Sequence, residues 1–98
     1  MLGTFNRNEP IAKITENLKV LRSKLDLTQG ELAGKVGISR QTLVSIENRR
    51  REMSWNTFVA LITVFRADSS TSELLDHFGI YTDELSRYLI SRDCKSLD

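Results

Sequence analysis

Residues 28–48 read TQGELAGKVGISRQTLVSIEN, the most informative part of the sequence for the fold. Apolar residues recur three or four positions apart in two short segments, 29–36 and 40–48, as they do along one face of an α-helix. Gly37 lies between the segments and can adopt the positive φ that a tight turn demands. The stretch therefore predicts two short helices joined by a tight turn.

Side chains at the start of both helices can satisfy their free N–H groups. Thr28 and Glu31 have the spacing of a capping box, and Ser39 can cap the second helix. Ala33 is small, as required where two helices cross near a right angle after a short turn. These features define a helix-turn-helix pattern. Five apolar residues are expected to pack between these two helices and the helix before them: Leu32, Val36, Ile38, Leu43 and Ile46.

The rest of the chain predicts further helices and no strand. Pro10 suits a first helical turn, and apolar residues spaced by three and four follow it to Leu25. Gly79 can close the fifth helix in a left-handed conformation, and a polar loop is expected at 68–71. The four additional helices are expected at 10–25, 55–66, 72–78 and 83–92.

The predicted organisation is an all-α domain, a compact bundle of five to six short helices. Residues 1–9 are expected to form a flexible arm, 10–66 the helix-turn-helix core, and 67–98 a C-terminal helical extension for dimerisation or partner binding. Segment 58–65 is rich in β-formers and would also suit a buried strand. Its length with Trp55 and the capping residue Ser54 favour a helix.

The 98-residue composition excludes several classes of protein. Apolar content is 40% and the net charge is +1, values typical of one folded domain rather than a disordered chain. One cysteine (Cys94) and one histidine (His77) cannot form a Cys/His zinc site or an internal disulfide, so we expect no metal and no cofactor. Without an export signal or a membrane-spanning apolar run, the chain is expected to be cytoplasmic.

The charge is distributed unevenly along the chain. Residues 1–52 hold ten basic and six acidic side chains, a net charge of +4, whereas residues 53–98 have a net charge of −3. The split indicates a basic face for an anionic partner and an acidic remainder, although counts this small can also arise by chance.

Three segments carry a family resemblance: Leu27–Ala33, Val36–Thr42 and Ile46–Asn48. They resemble the lambda-repressor-like, Xre-type helix-turn-helix family, over about Leu18 to Phe65. The resemblance implies a DNA-binding domain of a bacterial or phage regulator, associated with the nucleoid and acting as a dimer on near-palindromic double-stranded DNA. A repressor that occludes a promoter is the simplest expectation.

The resemblance also assigns roles to individual residues. Arginine pairs with guanine and glutamine with adenine, so both suit a helix that reads base edges. The implied base-reading residues are Arg40, Gln41, Val44 and Ser45. The resemblance implies phosphate contacts by Gln29 and Asn48, and Ser39 is also expected to bind phosphate. The charge of Arg49, Arg50 and Arg51 suits phosphate binding as well, although a charged loop that is simply solvated is the alternative. Arg22 and Glu47 match an ion pair that ties the first helix to the third.

Two positions depart from the family pattern. Arg49 stands where a glycine commonly follows the Glu-Asn pair, and we expect Asn48 to take the left-handed conformation instead. Met53 and Ser54 replace the usual Pro-Ser start of the fourth helix, which keeps the cap.

Other functional classes fit the sequence less well than DNA binding. The sequence contains no phosphate loop, metal-ligand spacing or nucleophile pattern, so we expect no enzyme activity and no catalytic residue. Trp55, Tyr81 and Tyr88 are interpreted as packing residues and His77 as a surface residue. The alternative function is an antitoxin or protein-interaction module that binds a protein partner through the acidic segment beyond Phe65.

Overall fold

The computed structural model describes residues 5–91, which form six α-helices and no strand. The all-α prediction is confirmed. Cys94 lies outside the described residues. The sixth helix ends at Ile90, two residues before the predicted end, because Ser91 has an extended backbone (φ −69°, ψ 142°). The helices are α1 (Asn8–Lys24), α2 (Gln29–Val36), α3 (Arg40–Glu47), α4 (Trp55–Arg66), α5 (Ser69–His77) and α6 (Asp83–Ile90).

The predicted caps begin the helices that surround the turn. Thr28 and Glu31 form both halves of the capping box at α2: Glu31 N–H donates to Thr28 Oγ1, and Thr28 N–H donates to Glu31 Oε1. Ser39, Ser54 and Thr82 accept a backbone N–H at the start of α3, α4 and α6. These local bonds fix the point at which each helix begins.

One core joins the six helices. The apolar stripe predicted for α1 is confirmed, because its central residues are fully buried. α4 is a helix rather than a strand, and its wide apolar arc contributes the two buried phenylalanines. The buried apolar residues of the helices are Ile14, Leu18, Leu21, Leu32, Ala33, Leu43, Ile46, Phe58, Leu61, Ile62, Phe65, Leu75 and Leu85.

The N-terminal segment is more ordered than predicted. α1 begins at Asn8 rather than Pro10, and the ring of Phe5 stacks on Tyr88 with centroids 4.5 Å apart. The Arg7 guanidinium donates to the Tyr88 hydroxyl (Nη2–Oη 2.8 Å) and lies over the Trp55 ring. Aromatic stacking and cation–π contact therefore hold Phe5 and Arg7 against α4 and α6. The prediction of a flexible arm was wrong for these residues.

The polar stretch 68–71 belongs to α5 and is not a loop. The carboxylate of Asp68 accepts the N–H of Ser70, so α5 begins at Ser69, three residues before the predicted start. Thr71 is fully buried, and its hydroxyl donates to the carbonyl of Phe65. The helix is longer than predicted because this hydroxyl satisfies a buried carbonyl at the end of α4.

α4 and α6 run in opposite directions past each other. The Arg66 guanidinium, at the end of α4, lies 4.0 Å from the ring centroid of Tyr81, just before α6. Trp55, at the start of α4, lies 5.9 Å from Tyr88, near the end of α6. Gly79 closes α5 at a φ of 71°, as predicted, and turns the chain into α6.

Acid titration should test the capping box of α2. The hydrogen bond from the Thr28 N–H holds the pKa of Glu31 below its ordinary value of 4.5. A lowered pKa in the folded state means that the charged carboxylate contributes stability above 4.5, and that this contribution is lost as the pH falls through the lower value. We expect a steeper loss of thermal stability below pH 4.5 in the native chain than in Glu31→Gln.

Glu31→Gln is a matched control because glutamine accepts the same N–H bond but does not titrate. Melting temperatures followed by circular dichroism at neutral and acid pH supply the comparison. If the melting temperatures of the two proteins fell equally below pH 4.5, the role given to the Glu31 carboxylate would be contradicted.

Candidate nucleic-acid interface

The turn between α2 and α3 has the geometry that the sequence predicts. Gly37 has a φ of 79°, and the N–H of Ile38 donates to the carbonyl of Ala33 (3.0 Å). Ala33 is 1% exposed, so a larger side chain there would meet the neighbouring helix. The tight turn fixes the orientation of α3 relative to α2.

α3 has two chemically distinct faces. Leu43, Ile46 and Glu47 are buried on its inner face. Gln41 is exposed on the outer face, where helical spacing also places Ser45, which is half-buried. Arg40, the first residue of α3, is exposed at the start of the helix, on the same side as Glu47 seven residues later. Val44, expected to be exposed, is half-buried at the edge between the faces. The outer face offers polar groups to a ligand while the inner face holds the helix in place.

Three polar side chains of α3 are available for binding. Among the described residues, no hydrogen bond or ion pair engages the side chain of Arg40, Gln41 or Ser45. The stem of Arg40 lies beside the start of α2, since a Cβ atom placed on Gly30 would be 3.8 Å from its Cδ. Arg40 therefore extends from a supported stem with all of its donors free.

A buried ion pair ties α3 to the two helices before it. Arg22 donates from Nε to Glu47 Oε2 (2.8 Å) and from Nη2 to Glu47 Oε1 (3.2 Å). Gln29 Nε2 donates to the same Oε1 (2.9 Å). The Glu47 side chain is 0% exposed and that of Arg22 17% exposed. The Arg22–Glu47 pair implied by the resemblance is thus present, and it also holds Gln29 at the start of α2.

A second polar network joins α3 to the chain after it. Ser39 accepts the Thr42 N–H and donates to Thr42 Oγ1 (2.9 Å). Arg51 Nη1 donates to the same Thr42 oxygen (3.3 Å). Thr42 is a site residue that sequence reasoning missed; its position on α3, nine residues before Arg51, carries no local signal for this contact. The network holds the Arg51 guanidinium beside Thr42 of α3.

The left-handed residue after α3 is Arg49, not Asn48. Arg49 has a φ of 62°, whereas Asn48 has a φ of −89° and a ψ of 4°. The N–H of Arg50 donates to the carbonyl of Ser45, and the N–H of Arg49 to that of Ile46. These two bonds form a Schellman motif, which requires the left-handed conformation one residue after the cap. The prediction for Asn48 was wrong by that one position.

The segment after α3 is exposed and strongly basic. Arg49, Arg50 and Arg51 are all exposed and border a groove of about 550 Å³ against α1, together with Glu16 and Glu52. Within the described residues, Arg49 and Arg50 make no side-chain hydrogen bond or ion pair. Two guanidinium groups are therefore free in the segment that follows α3, and a third is oriented by Thr42.

Other chemistries find less support in this structure. Across residues 5–91, no three His, Cys, Asp or Glu side chains lie close enough to hold a metal ion. None of the helices described is both long and apolar enough to cross a membrane. His77 is exposed, and Trp55 stacks on Phe58 as a packing residue.

Comparison with protein families agrees with this geometry. A model described as "Helix-turn-helix domain" matches residues 14–78, from the middle of α1 to the end of α5. The chain belongs to this helix-turn-helix family, in agreement with the lambda-repressor-like resemblance. Membership indicates a DNA-binding regulator, and domains of this family are typically not enzymes. Neither a curated protein nor a solved structure gives a significant match.

Arg49→Gly should stabilise the protein. An L-residue in the left-handed region costs roughly 1–2 kcal/mol, and the greater chain entropy of glycine offsets roughly half of that. We expect the free energy of unfolding to rise by about 0.5–1 kcal/mol in chemical denaturation.

Arg50→Gly is the matched control, because it removes the same charge at a neighbouring residue without a positive φ. Its stability should fall rather than rise. Equal changes in the two variants would show that charge, and not backbone conformation, controls stability at this loop.

Proposed function

We propose that the protein is a sequence-specific regulator of transcription that binds double-stranded DNA and acts as a repressor, with α3 in the major groove. The observation that carries the proposal is the placement of α3: its inner face is fixed by the core and the Arg22–Glu47 pair, while Gln41 on its outer face and Arg40 at its exposed first residue have free polar groups. A recognition helix needs both properties, since base readout depends on rigid placement of free donors and acceptors.

The accessible side chains of α3 suit direct readout of base edges. Arg40 can donate two bonds to O6 and N7 of guanine, and Gln41 can pair with N6 and N7 of adenine. Ser45, one turn further along, can reach either base or bind through a water. Val44, half-buried at the edge, can contact a thymine methyl group.

The flanking residues suit contacts to the phosphate backbone. Gln29 begins α2, and one hydrogen of its amide remains for a phosphate after the bond to Glu47. The segment after α3 supplies positive charge through Arg49, Arg50 and Arg51. Asn48, just before them, is also exposed. Ser39 already donates its hydroxyl hydrogen to Thr42, so its contact to a phosphate requires that hydroxyl to rotate.

A dimer would match this readout to a palindromic operator. Two copies with their recognition helices about 34 Å apart read half-sites separated by one turn of DNA. A dimer seated on an operator that overlaps a promoter excludes the polymerase, and repression follows from occupancy alone.

Selection from a random DNA pool, followed by binding assays on the selected site, tests the proposal. Arg40→Ala and Gln41→Ala should each relax the preference at one base position by roughly 1–3 kcal/mol, because each removes one bidentate contact. Circular dichroism should show an unchanged fold, since both side chains are exposed. A pool without any enriched sequence would refute sequence-specific binding.

Arg50→Ala is the contrasting variant. Loss of a phosphate contact should weaken binding to all sequences equally and lower the slope of log K against log salt by about 1. If Arg40→Ala behaved in the same way, α3 would contact the backbone rather than the bases.

A further inference from the structure

The hydroxyl of Thr42 joins α3 to the basic segment that follows it. Its oxygen accepts one hydrogen bond from Ser39 Oγ (2.9 Å) and a second from Arg51 Nη1 (3.3 Å). Thr42 is half-buried on α3, whereas Arg51 is exposed. The bond therefore links a side chain of the helix to a guanidinium group that solvent, or a ligand, can still reach.

The backbone that carries Arg51 is fixed at both of its ends. Before it, the N–H of Arg50 donates to the carbonyl of Ser45 (2.9 Å) in the Schellman motif. After it, Met53 is buried in the core. These anchors limit where Arg51 lies along α3, and the bond to Thr42 limits the direction of its side chain.

The chemistry of the acceptor distinguishes Arg51 from the other arginine held at α3. Arg22 is bound by the carboxylate of Glu47, which compensates its charge inside the fold. Arg51 is bound by a hydroxyl group, which orients a guanidinium without neutralising it. Arg51 is thus held in one direction and keeps its full positive charge for an anion.

Most donors of Arg51 remain free. Its bond to Thr42 is the single side-chain hydrogen bond that Arg51 makes within residues 5–91, and it comes from Nη1. Glu16 and Glu52 border the same groove, but neither forms an ion pair with Arg51 in this part of the chain. The planar guanidinium therefore still offers the fork of N–H groups that binds a phosphate bidentately.

We propose that Thr42 is a positioning residue for DNA binding: it holds Arg51 in the orientation in which Arg51 contacts a phosphate of the backbone. Arg51, rather than Arg49 or Arg50, is then the preordered phosphate contact after α3. A side chain that is ordered before binding loses less conformational entropy when the contact forms. The inference rests on the proposed function, because the phosphate belongs to the DNA that α3 reads.

Comparison of two arginine variants tests the preordering of Arg51. Arg51→Ala and Arg50→Ala remove the same charge, so each should lower the slope of log K against log salt by about 1. Arg51→Ala should nevertheless weaken binding to the selected DNA site about threefold to tenfold more, since the Arg50 side chain has no bond that orders it within the described residues. Equal losses of affinity would overturn the proposal.

Thr42→Val removes the hydroxyl and keeps the shape of the side chain. We expect it to weaken binding by about threefold to tenfold on every DNA sequence, because a phosphate contact carries no sequence information. The Ser39 cap remains, since it accepts the backbone N–H of residue 42. Thr42→Ser, which retains the hydroxyl, should restore the affinity, and melting curves followed by circular dichroism check that the variants fold.

Thr63→Val is the matched control for loss of a threonine hydroxyl. Thr63 is exposed on α4, and its hydroxyl donates to the carbonyl of Val59 within the same helix. This variant should bind DNA as the native protein does. Equal weakening by Thr63→Val and Thr42→Val would contradict a role for the contact to Arg51.

A double-mutant cycle separates positioning from direct contact. Thr42→Val should have no further effect in a chain that carries Arg51→Ala, and its full effect in one that carries Arg50→Ala. An effect that persists without Arg51 would show that Thr42 contacts DNA itself. Altered preference at a single base pair would assign Thr42 to base reading. Either result would overturn the positioning role.

The free protein provides a test that does not depend on DNA. Relaxation of ¹⁵N at the arginine Nε should show the Arg51 guanidinium to be less mobile than that of Arg50 on the picosecond to nanosecond timescale. Thr42→Val should abolish this difference. Equal mobility of the two groups in the native chain would overturn the proposal.

Failure of this proposal and failure of the proposed function give different results. Selection of a DNA sequence by a native chain in which Thr42 and Arg51 are not coupled would overturn the positioning role and leave the function standing. Coupled losses on a duplex of unrelated sequence, with no sequence enriched from the pool, would refute sequence-specific binding and support the positioning role.

Discussion

The carboxylate of Glu47 joins α3 to the two helices before it. It is fully buried, and its two oxygens accept three hydrogen bonds: two from Arg22 of α1 and one from Gln29 of α2. A buried charge that loses its partner destabilises a protein by about 3–5 kcal/mol, so α3 has essentially one rotational setting about its axis. With Glu47 turned inward, helical geometry turns Gln41 and Ser45 outward. The ion pair thus determines which face of α3 is directed outward.

The end of α3 shows a conflict between backbone conformation and charge. The Schellman motif requires a left-handed residue after Asn48, and glycine would take that conformation without strain. Arginine occupies the position instead, at a φ of 62°. Strain of this kind persists where the surrounding structure enforces it, and it is concentrated at functional sites. Under the proposed function, the positive charge of this arginine would serve DNA binding.

The sequence predicted the parts of the fold that depend on neighbouring residues. The capping box at Thr28, the positive φ of Gly37 and the two faces of α3 all follow from spacing over a few positions. The predictions failed where distant segments meet or where one position decides a conformation. Arg7 and Tyr88 are 81 residues apart, and no periodicity links them. The left-handed conformation is found at Arg49 and not at Asn48, where it was predicted. Hydrogen bonds to α3 determine its position, and the intrinsic preference of asparagine does not.

The modest basic charge of the N-terminal half bears on how the proposed regulator would reach specificity. A net charge of +4 over residues 1–52 gives limited non-specific attraction to DNA, so fitted contacts must supply much of the affinity. One eight-residue α3 offers few such contacts, each worth roughly 1–3 kcal/mol. In the proposed dimer a second copy would double their number, and the second half-site would be bound in an intramolecular step. Specificity in the proposed regulator would therefore depend both on the fixed placement of α3 and on the presence of a second copy.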